Sequence, residues 1–160
     1  MTPFQGKRIT LRHTMNIAAA PAAVFPLLCP VREYDWIEDW SCEMICSQSG
    51  VAELDCAFKT GFPDEGEAYW VMSRNNPPAE AEYIRFVPGL MIVRLHLTLR
   101  PAGHDGCFID VAHTFTGLSD KGNAAITEKI PAKHAQDISR LEQRLDHYVR
   151  TGSMLKTRGS

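Results

Sequence analysis

The hydrophobic repeat of this chain changes period near residues 118–120, and that change restricts the fold more than any other feature. Before it, apolar residues recur every second position. In LMIVRLHLTLR (90–100), Met91, Val93, Leu95, Leu97 and Leu99 share one face, and Arg94, His96, Thr98 and Arg100 share the other. This is a strand with one buried and one wet side. After the change, His134, Ile138, Leu141, Leu145 and Tyr148 step by four, three, four and three, which makes one stripe on an amphipathic helix. A sheet with one apolar face needs a cover, and this helix is the only element large enough to supply it.

The rest of the chain fills in the order. RITLRHTMNI (8–17) alternates strictly, with Ile9, Leu11, His13, Met15 and Ile17 opposite Arg8, Arg12 and Asn16. In AAAPAAVFPLL, Pro21 suits a first helical turn carrying Val24, Phe25 and Leu28, while Pro26 and Pro30 keep that helix short. A second short helix is predicted over about 31–38. Strands are predicted near 43–49, 53–60, 66–74, 80–87, 90–100 and 106–118. They are separated by Gly50, GFPDEG (61–66), NNPP (75–78), Pro88-Gly89 and AGHDG (102–106). Short turns between successive strands imply an antiparallel meander. Ser119 or Asp120 suits a helix N-cap and Gly152 suits the position past its end. Pro131 implies either a kink or a short turn ahead of the main helix. The expected class is α+β: a curved seven-stranded antiparallel sheet wrapped on a long C-terminal helix, with two short helices between strands 1 and 2. Residues 1–152 form one domain in this reading, and 153–160 form a flexible tail. A sheet curved around a helix leaves room for an internal cavity.

The net charge of −2 offers no electrostatic reason for binding nucleic acid or an anionic membrane. No apolar run approaches the roughly 18 residues of a membrane span. Ala18-Ala19-Ala20 resembles a signal-cleavage site, but Arg8, Arg12, His13 and Asn16 interrupt the apolar segment it needs. The expected location is therefore cytoplasmic. Cys29, Cys42, Cys46, Cys56 and Cys107 are odd in number and contain no C-x-x-C, so reduced thiols are expected. Cys42 and Cys46 would lie about 13 Å apart on a strand, too far to share an ion. Neither metal nor cofactor is expected, and both cysteines read as small buried hydrophobes.

The residues with chemistry to offer are few. His13 and His113 sit on apolar strand faces, His113 beside Ile109, Val111 and Phe115. If the first and last strands pair at their centres, the two imidazoles face each other with Cβ atoms about 4.5–5.5 Å apart. They are then either a proton-transfer pair with shifted pKa values or two satisfied core histidines. Tyr69, Trp70, Tyr83, Arg85 and Phe86 lie on the middle strands, where the mixed alternation leaves their facing open. An inward Arg85 would anchor a carboxylate or phosphate. Glu80, Glu82 and His96 read as outer-face residues. In LCPVREYDWIEDW (28–40), the carboxylates Glu33, Asp35, Glu38 and Asp39 interleave with Tyr34, Trp36, Ile37 and Trp40. The acids are expected to fan into solvent while Trp36 and Trp40 latch the core, with Trp36 at the cavity edge. GxSxG, HExxH, Walker A and GxGxxG motifs are absent.

The order of elements, with HTMNIAAAPAAVFPLLCPVREYDWI, VRLHLTLRPAGHDGCFIDVAHTFTGLSDKGN and LEQRLDHYVRTG, resembles the SRPBCC superfamily over nearly the whole chain. That superfamily includes START lipid-binding domains, polyketide cyclases and birch-pollen-allergen proteins. LLCPVREYDWI resembles a bacterial subgroup within it. The resemblance implies a helix-grip fold with an interior cavity, and no single activity. Three functions are consistent with it. One is a carrier or sensor for a small hydrophobic or amphipathic molecule. The second is a cyclase- or dehydratase-like enzyme using His113, His13 or Tyr83 to move a proton. The third is a protein-interaction module, which needs an exposed apolar patch and a filled interior. The cavity is expected to use Trp36, Tyr69, Trp70, Tyr83, Arg85, His13, His113 and Phe115. A homodimer remains open.

Overall fold

A computed structural model describes residues 2–63 and 66–157. Seven strands form one antiparallel sheet: β1 (Arg8–Ile17), β2 (Glu43–Cys46), β3 (Ala57–Phe62), β4 (Gly66–Asn76), β5 (Glu80–Val87), β6 (Met91–Ala102) and β7 (Gly106–Gly117). Their order is β1-β7-β6-β5-β4-β3-β2, so a meander from β2 to β7 is closed by β1 pairing with β7. This is the expected helix-grip architecture. Asp64 and Glu65 of the GFPDEG turn lie outside the described residues.

The strands expected over 43–49 and 53–60 are shorter than their patterns. Side chains compete with the ladder here. Ser49 donates from both its backbone N and its Oγ to Glu53 Oε1, each at 2.6 Å, and Ser47 Oγ donates to the Val51 carbonyl at 2.6 Å. The Ser49 bonds, led by its hydroxyl, with a weaker one from Ser47 Oγ at 3.1 Å, hold the Glu53 pKa down to about 2. The register also shifts between Met44 and Cys46, which leaves Cys46 exposed rather than buried.

Between β1 and β2, α1 (Pro21–Val24) runs into a 3₁₀ turn at Phe25–Leu28, and a second 3₁₀ turn spans Arg32–Asp35. The segment expected as a helix over 31–38 is thus tighter and shorter. In a 3₁₀ turn, residues three apart eclipse, and the Trp36 N–H closes the turn on the Glu33 carbonyl at 3.3 Å, so Glu33 and Trp36 share a side. Trp36 is 3% exposed, and its Nε1 donates to the Leu27 carbonyl at 2.8 Å. Trp40 Nε1 donates to the Pro30 carbonyl at 2.8 Å. Both indoles fasten the turns to the core, as the latch reading expected.

At the other end, the Ser119 hydroxyl caps α2 (Asp120–Ala124) by accepting from the Gly122 N–H at 3.0 Å. A Cβ at Gly122 would collide with the Leu90 carbonyl, so only glycine allows this approach. A π-helical turn at Ala125–Lys129 leads into α3 (Ile130–Thr151). Pro131 has no N–H to give, and the widened turn just before it accommodates the missing bond. Gly152 ends α3 at φ 73°.

Ile138 and Leu145 of α3 pack on Met15, Ile17, Leu97, Leu99 and Ile109. Glu142 and Asp146 accept the Asn16 and Ala18 backbone N–H groups at 2.6 and 2.8 Å, which ties the helix to the β1 edge. The tail does not leave the body at residue 153. Thr157 donates from N and Oγ1 to Glu38 at 3.0 and 2.9 Å; residues 158–160 of the expected flexible tail lie outside the described residues. Among the described residues no helix is long and apolar enough to cross a membrane. The buried side chains fall into three clusters, under α3, around Phe115 and Ile126, and around Phe58 and Tyr83. The space between them is the interior described next.

Candidate functional site

Strand register decides what faces inward. Trp70, Arg85, Val93, Phe115 and Ile9 form one cross-strand row, and Met72, Tyr83, Leu95, His113 and Leu11 form the next. Trp70, Arg85, Val93 and Phe115 of the first row, with Leu95 and His113 of the second, border a cavity of about 450 Å³ under α3. A second cavity of about 360 Å³ lies beneath the two short turns, bounded by Phe25, Leu28, Cys29, Met72, Ala81 and Tyr83. An aromatic wall stands between them. Phe58 stacks on Trp70 at 5.4 Å, and Tyr83 meets both rings edge-on at 5.9 and 6.3 Å.

The helix-side cavity centres on a pair of histidines. His113 Nδ1 lies 2.9 Å from His134 Nε2, with the rings near perpendicular at 87°, and Phe115 stacks on His113 at 5.6 Å. His113 sits deep among protein atoms and yet keeps a half-buried surface, as a side chain lining a cavity should. Burial, then the neighbouring His134 and Arg85, pushes its pKa down to about 3. Burial also lowers His134, with His13 adding to the effect and Asp137 opposing it. Both imidazoles are therefore neutral at neutral pH. In the 2.9 Å contact one ring donates and the other accepts, so the pair can relay a proton between its outer nitrogens.

The predicted partner was different. Leu11, not His13, stands opposite His113, and His13 stands opposite Val111. His13 does share the inner face, but a diagonal away, and it does not border the cavity. The ring that meets His113 comes from α3. Periodicity signalled His134 only as the first member of the helical stripe.

The other predicted residues divide by facing. Trp70, Arg85, His113 and Phe115 border the helix-side cavity, and the Arg85 guanidinium lies over the Trp70 ring at 5.4 Å. Trp70 Nε1 donates to Thr60 Oγ1 at 2.9 Å. Tyr83 is inward but borders the turn-side cavity. Its hydroxyl donates to the Leu28 carbonyl at 3.3 Å, and burial raises its pKa far above the usual 10, so it keeps its proton. Tyr69 does not reach the interior, because it alternates with the inward Ala68 and Trp70. It is 38% exposed on the outer face. Trp36 is sealed in the core under α3 and borders neither cavity; Trp40 and Phe62 take the cavity-edge position instead. Glu80 and Glu82 lie on the outer face, paired with His96 at 2.6 Å and Arg94 at 3.5 Å.

Charge is concentrated at the rim. Lys133, Asp137, Arg140 and Arg144 of α3 border the cavity, and Lys133 pairs with Asp137 at 3.9 Å. Arg140 and Arg144 are one helical turn apart, a like-charge spacing that repels unless an anion relieves it.

The expected outward fan of carboxylates fails at Glu33. Its side chain lies deep among protein atoms, where burial raises its pKa well above the usual 4.5. The 3₁₀ period explains this, since Glu33 eclipses the buried Trp36 rather than opposing it.

No family model matches the chain, and no curated protein matches it in sequence. Solved structures do match in fold. Norcoclaurine synthase from Thalictrum flavum, in complex with dopamine and hydroxybenzaldehyde, aligns with a TM-score of 0.66 at 12% identity, over 98% of this chain and 91% of that one. Ara h 8.0201 aligns at 0.63 and 16% identity, over 91% and 99%. The Mll3558 protein from Rhizobium loti aligns at 0.61 and 14% identity, over 87% and 99%.

Proposed function

From the SRPBCC fold of this chain as premise, we propose that it binds a small amphipathic molecule in the cavity under α3. The observation that carries this reading is the cavity itself: about 450 Å³, with an apolar floor at Val93, Leu95 and Phe115 and a basic rim at Arg140 and Arg144. Ligand pockets of this size combine apolar walls with a few fixed polar groups. The rim favours a ligand with an anionic end, because guanidinium binds carboxylate, sulfonate and phosphate groups with charge-assisted hydrogen bonds. Norcoclaurine synthase, which has the same fold, was solved with two small aromatic molecules. That agrees in ligand size and character.

A matched pair of fluorescent probes tests the reading. 8-Anilinonaphthalene-1-sulfonate and N-phenyl-1-naphthylamine share an aromatic body, and only the first carries a sulfonate. The sulfonate probe should bind about tenfold tighter. Arg144→Gln should remove most of that advantage and leave the neutral probe unchanged. If neither probe binds, the cavity reading fails; if both bind equally, only the anionic preference fails.

The histidine pair supports a second reading, an enzyme that moves a proton on a bound ligand. A carrier manages with one polar anchor, whereas proton-transfer catalysis needs titratable groups converging in the cavity. His113 and His134 converge there with Arg85 beside them. His113→Phe with unchanged ligand binding and turnover would count heavily against it. The interaction-module reading meets only one of its two requirements. Tyr69, Phe86 and Ile92 do form an exposed row across the outer face, but the interior is not filled.

A further inference from the structure

The contact between His113 and His134 uses one nitrogen of each ring, Nδ1 of the first and Nε2 of the second, at 2.9 Å. Among the described residues, His113 Nε2 and His134 Nδ1 have no hydrogen-bond or ion-pair partner. No buried side-chain nitrogen or oxygen there lacks a partner, so neither of these two atoms is sealed in protein. The open space that both rings border is the cavity under α3. The rings are also held in place. Phe115 stacks on His113 at 5.6 Å, and His134 crosses it from α3 at 87°.

Two neutral imidazoles carry two ring protons on four nitrogens. With one of those protons in the contact, one outer nitrogen carries the other and the remaining outer nitrogen carries a lone pair. Moving the contact proton across the 2.9 Å gap exchanges these roles. The pair therefore offers a ligand one acid and one base at the same time. A lone imidazole that takes a proton becomes a cation, and burial opposes that at both rings. A pair that takes one proton and gives another stays neutral throughout. The reaction suited to such a pair moves a proton from carbon to oxygen within one molecule. The walls restrict which molecule: Val93, Leu95 and Phe115 suit an apolar body, and Arg140 and Arg144 suit a carboxylate.

We propose that the cavity under α3 catalyses keto–enol tautomerisation of an enolisable ketone that carries a carboxylate and an apolar body, with His113 and His134 as the paired base and acid. This rests on the ligand site proposed above. In the enolisation direction, one outer nitrogen takes a proton from the carbon next to the ketone. The electrons of that C–H bond form the C=C bond, and the π electrons of the ketone move to its oxygen. The oxygen takes the proton of the other outer nitrogen while the contact proton crosses between the rings. One C–H bond breaks, one O–H bond forms, and nothing is oxidised or reduced. Both rings end in the opposite tautomer, and proton exchange with water after release restores the first.

The test uses the full chain with phenylpyruvate, whose keto and enol forms absorb differently in the ultraviolet. Phenylpyruvate should displace anilinonaphthalene sulfonate and reach tautomeric equilibrium about 100-fold faster than in buffer alone. In deuterated water the protein should speed deuterium entry at the carbon next to the ketone, read by proton NMR. His113→Phe and His134→Phe should each lose most of the acceleration while still binding the sulfonate probe. His134→Gln can still donate an N–H toward His113 Nδ1 but cannot pass a proton on, so it should be as slow as His134→Phe. A His134→Gln variant as fast as the wild type would make His134 a positioning residue and overturn the proposal. Displacement of the probe without acceleration, or no displacement, would overturn it and leave the ligand site intact. Failure of the sulfonate probe itself to bind would end both.

Discussion

Under α3, two imidazoles meet at 2.9 Å and burial holds both neutral by lowering their pKa values. Beneath the Arg32–Asp35 turn, burial acts on the Glu33 carboxyl the other way and raises its pKa well above the usual 4.5. The cause is the same in both places, since desolvation disfavours whichever form carries charge. The consequences for pH are opposite. One interior resists taking up a proton and the other resists losing one, while Lys133, Arg140 and Arg144 of α3 stay at the rim.

The aromatic wall makes this a comparison of two spaces rather than one, and removing it has the largest expected effect. Trp70→Ala deletes the stack on Phe58 and the bond to Thr60, and should cost about 3–5 kcal/mol in urea denaturation. A loss under about 1 kcal/mol would mean that the wall is not packed and the two spaces are one.

The histidine pair should set the acid limit. An imidazole with a folded pKa below the usual 6.5 contributes stability that is present above that value and lost as pH falls toward the folded pKa. Wild-type stability should therefore fall by up to about 1.4 kcal/mol per pH unit for each such histidine. His113→Phe should flatten that limb, as followed by denaturation midpoints across acidic pH. An unchanged slope would remove His113 from the buried pair.

Glu33 should act in the other direction. A carboxyl whose folded pKa is raised leaves stability intact below the usual 4.5 and erodes it as pH climbs toward the folded value. Glu33→Gln should stabilise the protein at neutral pH and leave stability below that pKa nearly unchanged. A variant no more stable than the wild type at neutral pH would mean the carboxyl is ionised or solvated. The smallest effect belongs to the outer face, where Tyr69→Thr should change stability by no more than about 0.5 kcal/mol. A large loss there would mean that Tyr69 packs against something in solution.

Much of the sheet was legible because a strand's facing follows from alternation alone. Met91 through Leu99 and Ile9 through Ile17 faced as their patterns required. Alternation could not show where a neighbouring strand begins, so the pairing of β1 with β7 put Leu11 rather than His13 beside His113. Nor could it show which ring of α3 arrives above that position. At Tyr69 the mixed pattern left the facing open, and the pairing of β4 with β5 settled it outward.

The LCPVREYDWIEDW segment separates the two kinds of information most clearly. Its tryptophans act as the latch that their size and amphipathic setting implied. Its acids do not all fan outward, because the turn closes with three residues per revolution and carries Glu33 inward with Trp36. By itself, then, the sequence determined the order of elements, the apolar face of most strands and the covering helix, because these depend on local period and on the need to bury what that period lines up. Tertiary structure alone decided which histidines meet, which acid is drawn among protein atoms and where the cavities lie. Those outcomes depend on register and on side chains converging from distant parts of the chain, and local periodicity does not encode them.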